Sequence, residues 1–142
     1  MAETEHGEGA AASTPVGVVL AGGAGRRLGG LGKASIELAG RPLLDYPISA
    51  LREVCAEVAV VAKRDSRLPA LPASVARWNE PDEPRHPLTG ILHALERSAG
   101  RGVLVCAVDM PLVDAATLRA LLALANARAG ALAVVAGSPD GL

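Results

Sequence analysis

The residues best suited to handling phosphate lie together in Leu20 to Ser35, LAGGAGRRLGGLGKAS, where six glycines, two arginines and one lysine follow an aliphatic run. Backbone N–H groups that approach phosphate oxygens closely need glycine, and a Lys or Arg on the same loop supplies the countercharge. The stretch reads as a phosphate cradle, with a mobile Gly-rich surface loop as the alternative. Two common cradles are excluded by counting. A GxxxxGK[ST] loop would need glycine at position 27 and Ser or Thr after the lysine, where the chain has Arg27 and Ala34. A GxGxxG fingerprint starting at Gly23 would need glycine at position 28, where Leu28 stands.

A second chemical residue is Asp109 in Val105 to Val113, VCAVDMPLV, the first charge after an apolar run. Ligand sites in open α/β sheets lie beyond the carboxyl ends of the strands, so Asp109 is expected to face the same crevice as the glycines. One carboxylate that shares Mg²⁺ with substrate phosphates is the usual arrangement for that ion. The alternative is a turn aspartate satisfying backbone N–H groups before Pro111. A third segment, Trp78 to Gly90 (WNEPDEPRHPLTG), is a long polar connection of the kind that is often functional. In it Asn79 could read a base edge, and Arg85 and His86 could meet an anionic substrate; a solvated connector is the other reading. His6 and His93 have no Cys or Asp at metal-ligand spacing, and no Ser-His-Asp or Cys-His set is apparent. Chemistry on a phosphorylated acceptor needs no protein nucleophile, because the phosphate is already anionic at neutral pH.

Positioning these residues falls to short aliphatic runs that alternate with amphipathic ones, the pattern of βα units around a parallel sheet. Val16–Leu20, Val58–Ala62, Val75–Trp78, Val103–Val108 and Ala131–Ala136 are the expected strands, with Val103–Val108 buried on both faces. A helix is expected from near Pro42, with Leu44, Ile48, Leu51 and Cys55 on one face. Pro47 implies a kink or a late start there. Leu88, Ile91, Leu92 and Leu95 form a second helical stripe; Asp114 caps a third helix whose core face is Leu118, Leu121, Leu122 and Ala125. Residues 1–14 lack periodicity and bulk and read as a disordered tail.

The chain of 142 residues, 50% hydrophobic and without Phe, suits one domain with an aliphatic core. A net charge of -1 removes the driving force for nucleic-acid binding, which comes from many Lys and Arg neutralising phosphates. No apolar run approaches the roughly 18 residues of a membrane span, and the N-terminus lacks a basic, then apolar, leader pattern. Cys55 and Cys106 lie inside apolar segments, as small hydrophobes of a reducing compartment do. The expectation is a soluble cytoplasmic protein without nucleic-acid or membrane partners; its oligomeric state has no signature in the sequence.

LAGGAGRRLGGLGK followed by AGRPLLDY, with PLTGILHAL and VDMPLV further on, resembles the molybdenum cofactor guanylyltransferases, the MobA-like NTP transferases. The resemblance runs through nearly all of Val16 to Leu142. It implies a Rossmann-like nucleotidyltransferase fold, mainly parallel sheet with helices on both faces. It also implies that GTP and Mg²⁺ react with a molybdopterin phosphate and release pyrophosphate. Matched by position, Leu20, Ala21, Gly22 and Gly23 would line the nucleotide, Lys33 would bind its phosphates, Asp109 would hold Mg²⁺ and nucleotide, and Arg27 is the loop arginine. Asn79 stands where many members have aspartate, Val61 where some carry a nucleotide-contacting asparagine, and Gly32 where aspartate is common. Related readings are a transferase using CTP or another NTP on a different phosphorylated small molecule, or a non-catalytic nucleotide-binding domain. The family continues past the point where this chain stops, so the domain over residues 15–142 is expected to be incomplete at its C-terminus.

Overall fold

A computed structural model of the chain describes residues 14–23, 32–128 and 130–137. Most of the expected tail and the C-terminal five residues lie outside them. Five-residue strands β1 (Val16–Leu20), β4 (Val58–Ala62), β5 (Val75–Asn79) and β6 (Val103–Ala107) form one sheet in the order β5-β4-β1-β6, every pair parallel. β2 (Glu37–Leu38) and β3 (Arg41–Pro42) make a separate antiparallel hairpin that the sequence reading did not foresee. Its turn places Ala39 and Gly40 at φ 51° and 78°; the signal was the Ala-Gly pair, obscured because alanine seldom adopts a left-handed backbone.

Successive strand residues face opposite sides, and the core divides accordingly. On one side Val19, Val58, Val60, Leu104 and Cys106 pack under α1 (Asp45–Arg52) and α3 (Ala115–Ala127). On the other, Val16, Val18, Ala59 and Val61 pack with Trp78 and with Ala94 of α2 (Pro87–Arg97). Helices therefore cover both faces of a parallel sheet. Leu44, Ile48, Leu51 and Cys55 are all buried, as their spacing requires. Pro47 is accommodated by a late start: it is the third residue of α1, inside the first turn, where backbone N–H groups have no intrahelical acceptor. Asp114 caps α3 by accepting from Thr117 N at 2.8 Å, and Leu118 is buried with Leu121 and Leu122 packed beside it.

Three expectations are corrected. In α2 the side chains against the sheet are Gly90 and Ala94, while Leu88, Leu92 and Leu95 are 58%, 60% and 44% exposed. Gly90 is pressed so close to Leu20 and Val61 that only a small-residue face fits there, which rotates the leucines outward. β6 is not buried on both faces: Val103, Val105 and Ala107 are half-buried, because β6 is the sheet edge and the outward leucines leave it thinly covered. Ala131–Ala136 is no strand, and Leu132 and Val135 are exposed. The physical reason is handedness. The connection from β1 through α1 leads to β4, and α3 shares the α1 face, so a right-handed crossover from β6 would lead to the place β1 already occupies.

Candidate functional site

The carboxyl ends of all four parallel strands open into a cleft of about 440 Å³, within the range of small-ligand pockets. Leu20, Gly22 and Gly23 enter it from β1, Lys63 from the end of β4, Glu80 from the end of β5, and Ala107, Val108 and Asp109 from β6. Arg85, His86, Pro87 and Gly90 close it from the start of α2. β1 is central: Ala21 N donates to Val61 O and Val108 N to Leu20 O, so the first glycines leave a strand end held from both sides. Gly22 sits hard against Glu80, and a methyl at this position would collide with Glu80 Oε1.

Lys33 begins a 3-10 turn, Lys33–Ser35, anchored by buried Ala34. Its Nζ donates to Asp109 Oδ2 at 2.9 Å, with the two side chains 46% and 49% exposed. The lysine and the acid that the sequence assigned to one ligand thus meet across the cleft mouth. The hydrogen bond from Lys33 holds the Asp109 carboxyl below the usual range; partial desolvation opposes it and the lysine charge adds to it. Asp109 is consequently an anion at neutral pH. Among the described residues no group of three His, Cys, Asp or Glu side chains could hold a metal by itself. A divalent cation here would take one carboxylate and complete its shell from ligand phosphates and water.

Of the expected site residues, Leu20, Gly22, Gly23, Lys33 and Asp109 line this one cleft. Ala21 is buried beside it, 7% exposed, as the spacer between Leu20 and Gly22. Arg27 lies outside the described residues. Asn79 is not among the lining residues: it is exposed, and its Oδ1 accepts from Arg77 Nε at 3.0 Å. Its neighbour Glu80 faces the cleft instead, because side chains alternate along a strand. Arg85 and His86, proposed on weaker grounds, do line the cleft. His86 Nδ1 accepts from Leu88 N at 3.1 Å and caps α2, which leaves any ring proton on Nε2. Val61, at the position where some relatives carry asparagine, is buried under Gly90.

Sequence reasoning missed Lys63 and Glu80, 4% and 8% exposed, which form a buried pair at 3.6 Å in the cleft. The signal was present: each is the first acid or ammonium after a strand, the rule that found Asp109. Among the described residues no helix is long and apolar enough to cross a membrane.

Comparison with known proteins shows a family from sequence and a fold from solved structures. The family described as the MobA-like NTP transferase domain matches residues 17–141. A molybdenum cofactor guanylyltransferase of Cereibacter sphaeroides is 42% identical over 101 residues, covering 68% of this chain and 51% of that protein. The chain thus spans about half the length of such curated relatives. Among solved structures, 2-C-methyl-D-erythritol 4-phosphate cytidylyltransferase from Thermus thermophilus superposes with TM-score 0.63 at 22% identity, over 89% of this chain and 61% of that one. Rv0371c of Mycobacterium tuberculosis H37Rv, also solved as a manganese complex, gives TM-score 0.63 at 23% identity over 82% and 62%. At such identities these two show the fold alone, a Rossmann-like, mainly parallel sheet with helices on both faces.

Proposed function

Because the chain belongs to the MobA-like NTP transferase domain family, we propose that it binds GTP and Mg²⁺ and transfers GMP to the phosphate of a molybdopterin, as a molybdenum cofactor guanylyltransferase does. The observation that carries this reading is the Lys33–Asp109 contact at 2.9 Å, at the mouth of a cleft that Gly22 and Gly23 enter from β1. It gathers a cation, an anion and close-approach backbone beyond the carboxyl ends of parallel strands, where α/β sheets bind nucleotides.

In the proposed reaction an oxygen of the acceptor phosphate attacks the α-phosphorus in line. The bond from the α-phosphorus to the bridging oxygen breaks, and pyrophosphate leaves with the electron pair. Lys33 exchanges Asp109 for the nucleotide phosphates, and Arg27 adds charge from the glycine-rich loop. The amides around Gly22 and Gly23 approach the nucleotide, and Asp109 would hold Mg²⁺, which neutralises phosphate charge when bound. Arg85 lines the cleft and adds a further cation near the substrates. Such catalysis is positioning and charge neutralisation without a covalent protein intermediate.

The test is thermal unfolding with GTP, CTP, ATP and UTP, each with and without Mg²⁺, paired with pyrophosphate release on adding molybdopterin. GTP with Mg²⁺ is expected to raise Tm most. No shift with any nucleotide would overturn the reading, and a preference for CTP would reassign the base.

A further inference from the structure

The mechanism leaves one buried charged group unused, the pair Lys63 and Glu80. Both side chains are more than nine-tenths buried, at the floor of the cleft and directly past the ends of β4 and β5. Charges withdrawn from water this far are costly unless paired, and this pair is built in from several sides. Lys63 Nζ lies 3.6 Å from Glu80 Oε1 and donates to Pro81 O, while Glu80 N donates to Ala62 O at 3.0 Å. Arg77 Nη2 donates to the carbonyls of Lys63, Arg64 and Ser66 at 3.0, 3.2 and 3.1 Å, fixing the backbone that carries the lysine.

The Glu80 carboxylate is wedged between two glycines from different parts of the chain. A methyl at Gly22 would collide with Oε1, and a methyl at Gly90 would come within 2.9 Å of Oε2. One carboxylate therefore spans the gap between the turn leaving β1 and the helix α2 opposite it.

Resting on the nucleotide reading above, we propose that Lys63 and Glu80 are positioning residues: the neutralised carboxylate props Gly22 and Gly90 apart and sets the cleft width in which a nucleotide fits. Shape carries this role, and the lysine is present because a buried carboxylate of that shape needs a counterion. The pair acts through the two glycines and makes no contact with the nucleotide.

The experiment measures Mg²⁺-GTP affinity of the full 142-residue chain by calorimetry, well below each variant's Tm. Glu80→Gln and Lys63→Met each strand one buried charge or donor set and are expected to weaken binding at least tenfold. Lys63→Met with Glu80→Gln keeps the wedge and removes both charges; it is expected to return affinity to within threefold of the unsubstituted chain, a rescue that contact with the nucleotide would not allow. Glu80→Asp keeps both charges but retracts the carboxylate from the glycines, and is expected to weaken binding at temperatures where the chain is still folded; it still reports if a single-charge variant fails to fold. A double variant that binds no better than the singles, or a Glu80→Asp chain that binds as tightly as the unsubstituted one, would overturn the proposal while leaving nucleotide binding standing. Absence of GTP binding in the unsubstituted chain would instead remove the functional reading, and the proposal with it.

Discussion

Replacing Asp109 by asparagine separates the two roles its carboxylate could have, because their magnitudes differ. As a stability element it pairs with Lys33 at 2.9 Å, but both side chains are nearly half exposed. Exposed ion pairs contribute about 0–1 kcal/mol after solvent screening. For a domain of this size that corresponds to a fall in Tm of about 4 °C at most. As the anchor of a metal-bound nucleotide the carboxylate would lose a charge-assisted interaction of roughly 1.5–3 kcal/mol, about 10- to 150-fold in affinity. Calorimetric titration of GTP with and without Mg²⁺, alongside a melting curve, measures both. The expected result is a nearly unchanged Tm, weaker GTP binding, and loss of the advantage that Mg²⁺ confers on the unsubstituted chain. Lys33→Met should weaken GTP binding with or without the metal. An Asp109→Asn chain that binds Mg²⁺-GTP within twofold of the original would refute the assignment of the metal to this residue.

Leu51 of α1, fully buried against Gly17 of β1, should cost about 2–5 kcal/mol when replaced by alanine, read as a lower urea midpoint. The carboxyls of Asp109 and Asp114 are both held below their ordinary range, chiefly by hydrogen bonds from Lys33 and Thr117 respectively. Their stabilisation is complete above the unfolded carboxylate pKa of about 3.9 and is lost as pH falls through the lower folded value. The urea midpoint should therefore drop with acidification below about pH 4, less steeply in Asp114→Asn. Burial pushes the Cys55 thiol up and the Cys106 thiol up to about 11, with Cys55 adding to the latter. An aromatic disulfide reagent at pH 8 should leave both thiols unmodified in the folded chain and titrate them in guanidinium; fast reaction in the folded state would contradict their packing.

Much of the fold was legible because short aliphatic runs rich in β-branched residues, such as Val58–Ala62, suit strands buried on both faces. The meeting of Lys33 and Asp109 was legible from topology alone, since both follow the carboxyl side of parallel strands. Two features were not legible for reasons that are physical. The stripe Leu88, Leu92, Leu95 has helical spacing, yet the close contact of Gly90 with the strand ends decided which face turned inward. Ala131–Ala136 has strand composition, but composition cannot say whether a neighbouring edge is within reach. Lys63 and Glu80, by contrast, carried a legible signal as the first acid or ammonium after their strands, and were overlooked because a single lysine or glutamate in sequence looks like surface; burial sets this pair apart from the exposed Arg85–Glu83 pair.

The hydrogen bond from Val108 N to Leu20 O ties the residue just past β6 to the last residue of β1. Neighbouring strands lie about 4.8 Å apart, so the distance from the glycine turn to the acid is inherited from the spacing of the sheet and owes nothing to loop length. Sliding β6 by one residue would carry position 109 about 3.3 Å along and deliver it to the opposite face. Insertions in the connecting loops can thus reshape what this cleft accepts, whereas a single residue gained or lost within either strand would dismantle it.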